Sequence, residues 1–74
     1  MTETTVKIDG MMCSICETHV NDKIRNEFDV SKVHSDHKKG ETVIVSDKPI
    51  DIDKLKAAIY DLGYDFISFE TKDI

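Results

Sequence analysis

Hydrophobic and polar residues alternate near the start of the chain, and their spacing then changes several times. In the segment Thr5–Asp9, the apolar residues Val6 and Ile8 are separated by one polar residue, which is the spacing of a half-buried strand. Gly10 follows at once and interrupts the alternation. The sequence therefore predicts a first strand that ends just before this glycine.

A helical spacing comes next. Val20 and Ile24 recur four residues apart, which predicts a first helix over about Ile15–Asn26. Ser14 and Glu17 have the spacing of a capping box, in which the hydroxyl and the carboxylate accept hydrogen bonds from the free N–H groups of the first helical turn. We therefore expect this pair to begin the helix.

The middle of the chain is typical of a hairpin. Val33 is the one strong strand former of Val30–His37, and Lys38–Glu41 contains the glycine of a credible turn. The β-branched segment Thr42–Val45 follows. Periodicity alone allows either Ile44 or its two valine neighbours to face the core, and we favour Ile44.

A second helix and a last strand complete the pattern. Pro49 ends the third strand, and Asp51 or Asp53 can cap the helix that follows. Gly63 is placed to end this helix, and Tyr64–Phe69 is β-branched and aromatic enough for a strand. The apolar residues of the helix recur every three or four positions: Ile52, Leu55, Ile59 and Leu62.

The predicted order is strand, helix, strand, strand, helix, strand. This is the α+β, ferredoxin-like βαββαβ plan, with two helices packed on one face of a four-stranded antiparallel sheet. The 74 residues are about half of the ~150 usually allotted to a domain. We therefore expect one domain, residues 1–74.

Composition and charge argue against several classes of function. With 10 basic and 15 acidic residues the net charge is −5, so binding to nucleic acid is disfavoured. The longest apolar run, Ala57–Tyr60, is far shorter than the ~20 residues that span a bilayer. Met1–Thr5 lacks the features of a secretory signal. We expect a cytoplasmic protein without membrane insertion, and the charged tail at Lys72 and Asp73 favours a free-standing chain.

The candidate chemistry lies at Cys13 and Cys16, between the first strand and the first helix. A helix N-terminus favours thiolates over thiols. Two thiolates select soft cations such as Cu(I) or Zn(II), but a structural zinc site almost always takes four protein ligands. Two-coordination suits Cu(I), and an open site allows a partner's thiolate to enter before one ligand leaves.

Two motifs give the chain a family resemblance. They are Gly10-Met11-Met12-Cys13-Ser14-Ile15-Cys16, a Gly-Met-x-Cys-x-x-Cys signature, and Leu62-Gly63-Tyr64 before the last strand. With the predicted element order, they make the chain resemble the heavy-metal-associated domain family. That family includes small bacterial copper chaperones and the N-terminal metal-binding modules of copper-transporting P-type ATPases. The resemblance covers essentially the whole chain.

The resemblance implies roles for individual residues. Cys13 and Cys16 would be the Cu(I) ligands. Met11 would be a buried hydrophobic tether under the metal loop, whereas Met12 would be exposed. Tyr64 would lie beside the site on the facing loop, as in bacterial chaperones of the family.

The resemblance also implies a function, that of a cytoplasmic copper chaperone and not an enzyme. Copper would pass by thiolate exchange to a metal-binding domain of a copper-transporting P-type ATPase or to a copper-responsive repressor. The metal-free protein would be a monomer, and two open sites could share copper in a bridged homodimer. A metal-binding domain cut from a larger ATPase is an alternative.

One position departs from the family pattern. The residue after the second cysteine, often small or apolar in relatives, is Glu17. Together with Asp9 and Asp65 it would form a negative rim that docks on a basic patch of the partner.

Two other interpretations use the same cysteines. Cys-x-x-Cys at a helix start is also the layout of thiol-disulfide oxidoreductases. Thioredoxin-like proteins resemble one another in placing a tryptophan before the first cysteine and a cis-proline opposite it. This chain has no tryptophan, and its only proline, Pro49, follows the third strand. His34 and His37 would complete a four-ligand zinc set. Their spacing is unusual for a zinc finger, and we expect both histidines to lie away from the loop after the first strand.

Overall fold

Six elements follow one another in the predicted order. The structure is a computed structural model that describes all residues, Met1–Ile74. The elements are β1 (Thr2–Asp9), α1 (Ser14–Glu27), β2 (Lys32–Asp36), β3 (Glu41–Ser46), α2 (Ile52–Asp61) and β4 (Asp65–Asp73). The strands pair antiparallel in the order β2-β3-β1-β4. The ferredoxin-like prediction is confirmed. Neither helix is long and apolar enough to cross a membrane.

The core lies between the sheet and the two helices. Ile44 is fully buried, while Val43 and Val45 are half-buried on the opposite face of β3, so the choice of Ile44 is confirmed. Burying a side chain of this size stabilises the fold by about 1.5–3 kcal/mol. The most deeply buried aliphatic side chains from the other elements are Val6, Val20, Ile24, Leu55 and Ile59.

The two neighbouring strands β1 and β4 are longer than the sequence predicts. β1 begins at Thr2 instead of Thr5, and β4 continues to Asp73 instead of ending at Phe69. Thr2 faces Asp73 in the register, so the two strands pair to their ends. Polar residues extend both strands here because the sheet is held by backbone hydrogen bonds, which do not depend on the side chain.

The start of α1 differs from the prediction. The N-cap residue is Cys13, no side chain caps the helix, and Ser14 is already its first residue. The Glu17 carboxylate instead accepts hydrogen bonds from His37. The capping-box prediction is therefore wrong, because two donors of another segment compete successfully for the carboxylate.

The start of α2 agrees with one of the two alternatives. Asp51 is the N-cap, and its Oδ1 accepts hydrogen bonds from the N–H groups of Asp53 (3.1 Å) and Lys54 (3.3 Å). The side chain thereby satisfies two of the free donors of the first turn. α2 ends at Asp61, and Tyr64 shortly after it lies close to Gly10 of the cysteine loop.

Candidate metal centre

The loop that joins β1 to α1 passes close to an aromatic ring. A Cβ atom added at Gly10 would lie only 3.1 Å from Cδ1 of Tyr64. Gly10 also has a φ of +106°, which side-chain-bearing residues rarely adopt. The glycine of the signature therefore lets the cysteine loop pack against the loop after α2.

Both cysteines lie at the N-terminus of α1. Their sulfur atoms are 3.4 Å apart, and both thiols are free, with Cys13 exposed and Cys16 half-buried. The carbonyl of Cys13 accepts the N–H of Glu17 at 3.2 Å, so the first helical turn holds the two side chains together. Two adjacent sulfurs that a ligand can reach are a donor set for a soft cation.

The thiol of Cys16 is acidic. Its pKa is lowered from 9.0 to about 7, mainly by a hydrogen bond from the Tyr64 side chain and next by the backbone N–H of Met12. The same interaction, aided by burial, raises the pKa of Tyr64 to about 12. At neutral pH a large fraction of Cys16 is therefore thiolate, the form that binds metals.

Tyr64 reaches this position because of the way α2 ends. Leu62 is the C-cap, and Gly63 follows with a φ of +89°. The N–H of Gly63 donates to the carbonyl of Tyr60 (2.9 Å), and the N–H of Tyr64 donates to the carbonyl of Ile59 (3.2 Å). These two bonds form a Schellman motif, which turns the chain towards Cys16.

The two methionines of the loop have opposite environments. Met11 is 4 % exposed and belongs to the core, whereas Met12 is 82 % exposed. Met11 thus anchors the loop to the core by ordinary apolar packing, and the Met12 thioether faces solvent.

The expected negative rim contains two carboxylates and not three. Asp9 and Asp65 are exposed and face each other across β1 and β4. Glu17 is not a free member, since its carboxylate is bonded to His37. The rim is therefore an acidic pair beside the loop that carries the cysteines.

The histidines behave differently from each other. His34 lies in β2, exposed and opposite Val43, whereas His37 contacts Glu17 and lines a cavity of about 460 Å³ together with Met11 and Met12. The expectation that His37 lies away from the loop is thus wrong. No three His, Cys, Asp or Glu side chains come together to hold a metal ion, so the four-ligand zinc site does not form.

The sequence does not predict the contact between Glu17 and His37. The two residues are 20 positions apart, and no local pattern relates them. Only the packing of α1 against the β2–β3 hairpin brings them together.

Comparison with known proteins agrees with this fold. The family model of the heavy-metal-associated domain matches residues 5–65. The yeast copper transporter domain Ccc2a, solved in apo and Cu(I)-loaded states, is 26 % identical, with 99 % of this chain and 97 % of that chain covered and a TM-score of 0.78. No curated protein sequence matches significantly.

Two further solved structures share the fold at lower identity. The CopZ metallochaperone is 24 % identical, with 88 % of this chain and 98 % of that chain covered and a TM-score of 0.78. The N-terminal domain of ZntA in its Zn(II) form is also 24 % identical, with 89 % of each chain covered and a TM-score of 0.79. Copper-binding and zinc-binding proteins therefore share this architecture, so the fold alone does not specify the metal.

Proposed function

The chain belongs to the heavy-metal-associated domain family, and from this premise we propose that it is a copper chaperone. It binds one Cu(I) between Cys13 and Cys16 and transfers the ion to a partner by thiolate exchange. The observation that carries the proposal is the pair of free sulfur atoms 3.4 Å apart on an accessible loop.

The number of donors favours Cu(I) over Zn(II). Only two sulfurs are available and no third His, Cys, Asp or Glu side chain joins them, whereas zinc almost always takes four ligands in structural sites. A linear S–Cu–S arrangement needs the sulfurs farther apart than the 3.4 Å seen here: two bonds as long as the zinc–sulfur bond, about 2.3 Å each, already span about 4.6 Å. The exposed Cys13 side chain is free to turn outward and provide this separation.

The different environments of the two cysteines support transfer. Cys16 is half-buried and is stabilised as a thiolate by Tyr64, so it is the firmer ligand. Cys13 is exposed and is the ligand that a partner's thiolate replaces first. Met11 holds the loop from the core side, and Tyr64 supports the half-buried sulfur.

The same chemistry supports a choice of partner and compartment. A receiving site must offer thiolates of its own, as a metal-binding domain of a copper-transporting P-type ATPase or a copper-responsive repressor does. A reducing cytoplasm suits the protein, because two thiols this close would otherwise oxidise. Two open sites facing each other would also allow a copper-bridged homodimer.

A competition titration tests the proposal. The reduced protein is titrated with Cu(I) and Zn(II) against chelators of known strength. We expect tight binding of one Cu(I) and a clear preference over zinc, because the site supplies two soft donors. Cys16→Ser should abolish tight binding, whereas Ser14→Ala, which keeps both thiols, should not. Equal affinities for the two metals would refute the proposal.

Thiol-disulfide exchange is the second candidate function. It is favoured by the lowered pKa of Cys16 and by the short distance between the two sulfurs. An insulin-reduction assay separates the two functions. Appreciable turnover would support the oxidoreductase, while tight Cu(I) binding without turnover would support the chaperone.

A further inference from the structure

The Glu17 carboxylate is held by a residue from another element. Its Oε2 atom accepts hydrogen bonds from the backbone N–H of His37 and from the ring Nδ1–H of the same residue, each at 2.7 Å. The side chains of Glu17 and His37 are 23 % and 29 % exposed. A carboxylate has no hydrogen to donate, so Glu17 can only accept in both contacts. The ring therefore carries its proton on Nδ1.

Glu17 lies close to the two cysteines, so the hydrogen bonds that hold its carboxylate matter for the metal site. The residue directly follows Cys16 and stands four positions after Cys13, which is about one helical turn. A carboxylate free to move at this place would be a candidate third ligand for a metal held by the two sulfurs. Carboxylate oxygen is an accepted ligand of zinc but a poor one for Cu(I).

A second contact keeps the helix itself in place. One turn further along α1, the Asn21 side chain accepts a hydrogen bond from Ser35 of β2 at 2.6 Å. The Ser35 hydroxyl is also 2.9 Å from the Thr42 hydroxyl of β3. Two adjacent turns of α1 thus accept hydrogen bonds from the same β2–β3 hairpin. The carboxylate of Glu17 therefore remains on the hairpin side of the helix.

We propose that His37 is a positioning residue for metal selectivity: it withholds the Glu17 carboxylate from the metal and keeps the donor set at two sulfurs. This inference rests on the proposed function. It assigns discrimination against zinc to a contact between α1 and the β2–β3 turn, and not to the cysteines alone. Groups that orient a metal ligand from behind lower metal affinity when they are removed. His37 would instead hold a potential ligand away from the metal, so its removal should raise the affinity for zinc.

The test compares Zn(II) affinity among variants of the full chain. His37→Ala removes the ring donor but keeps the backbone donor, so we expect Zn(II) affinity to rise about three- to tenfold. This is smaller than the roughly 10–100-fold loss of affinity that follows when a group orienting an actual metal ligand is removed. Cu(I) affinity should stay within about threefold, since oxygen adds little to a cuprous site. His37→Asn, which retains an N–H near the Nδ1 position, should keep the wild-type selectivity.

Two further variants isolate the carboxylate. Glu17→Asp shortens the side chain so that it no longer reaches His37, and it should raise Zn(II) affinity in the same direction even if His37→Ala folds poorly. The double variant Glu17→Gln/His37→Ala has no carboxylate, and its Zn(II) affinity should return to the wild-type value. Thermal unfolding of each metal-free variant checks that the fold is kept. With Co(II) as a spectroscopic substitute for zinc, His37→Ala should show a changed visible absorption that the double variant lacks.

The outcomes that overturn the inference are distinct. Unchanged Zn(II) affinity in both His37→Ala and Glu17→Asp would show that the carboxylate is not withheld. A rise that persists in the double variant would exclude Glu17 as the added ligand, and a fall in His37→Ala would make His37 itself a ligand. The proposed function is tested separately, by the Cu(I) preference of the wild-type protein.

Discussion

Tyr64 connects the end of α2 to the chemistry of a single sulfur atom. Its hydrogen bond is the main reason that the Cys16 pKa is about 7 instead of 9.0. In Tyr64→Phe the pKa should therefore move upward towards its ordinary value. The rate of Cys16 alkylation by iodoacetamide as a function of pH, followed by peptide mass spectrometry, measures this shift.

Tyr60, in the last turn of α2, provides a matched control. Tyr60 is 53 % exposed. Tyr60→Phe also removes a tyrosine hydroxyl, but one that faces solvent and not the cysteine loop. The alkylation profile of this variant should match the wild type. An unshifted profile in Tyr64→Phe would show that the backbone N–H groups and the Cys13 thiol lower the pKa of Cys16 without Tyr64.

The core face of β1 contains a hydroxyl group without a hydrogen-bond partner. Thr4 is fully buried, and its hydroxyl has no hydrogen-bond partner. Thr4→Val keeps the shape and removes the unpaired polar group, so the free energy of unfolding should rise by about 1 kcal/mol. Urea denaturation should show a higher midpoint with an unchanged slope.

Thr42 provides the comparison for this substitution. It is equally buried, but its hydroxyl is 2.9 Å from that of Ser35. Thr42→Val breaks this contact and should lower the midpoint. If both valine variants shift in the same direction, the unpaired hydroxyl is not the cause.

At the scale of single residues, the sequence predicts positions better than contacts. The burial of Met11 and the exposure of Met12 agree with what the resemblance implies, since a short motif fixes its own local geometry. The bond from His37 to Glu17 spans 20 positions and depends on how α1 packs on the hairpin. The capping-box prediction is wrong for the same reason, because the Glu17 carboxylate accepts hydrogen bonds from His37 and not from the start of α1.

Among the elements, α2 offers the clearest test of local stabilisation. The Asp51 side chain accepts two backbone N–H groups at its start. Asp51→Ala should lower the free energy of unfolding by about 1 kcal/mol. Asp47→Ala, which removes the same charge from an exposed position between β3 and α2, should change it far less. Urea denaturation of both variants measures the difference. Equal decreases in the free energy of unfolding would show that the change in net charge, and not the loss of the cap, is the cause.

The existence and order of the elements are predictable from the sequence, whereas the outer ends of β1 and β4 are not. The apolar spacing in α2 and the alternation around Val6 and Ile8 specify the type of each element. The additional pairing of Thr2 with Asp73 has no hydrophobic signal. It arises because two neighbouring strands continue to satisfy each other's backbone groups.

For the whole molecule, the acidic thiol makes stability depend on pH. The Cys16 pKa is about 7 in the folded protein, against an ordinary value of 9.0. The unfolded chain therefore binds more protons between these values, and the free energy of unfolding should rise as the pH increases from 7 to 9. The contribution is complete above pH 9 and is lost as the pH falls through 7.

Cys16→Ser is the reference for this measurement. Denaturation of the reduced, metal-free protein at several pH values should give a stability difference between the wild type and the variant that grows with pH. Parallel curves for the two proteins would contradict a lowered pKa in the folded state.

The two chain ends lie side by side at the end of the sheet remote from the cysteines. The N–H of Ile74 donates to the carbonyl of Met1 at 3.0 Å. The eight residues of β1 span about 25 Å at ~3.3 Å per residue, and they separate this end from the sulfurs. A tag, a tethering surface or a fused neighbour attached at either end would leave the thiols facing outward. A short peptide could likewise join the ends and let the polypeptide be reopened at another surface turn.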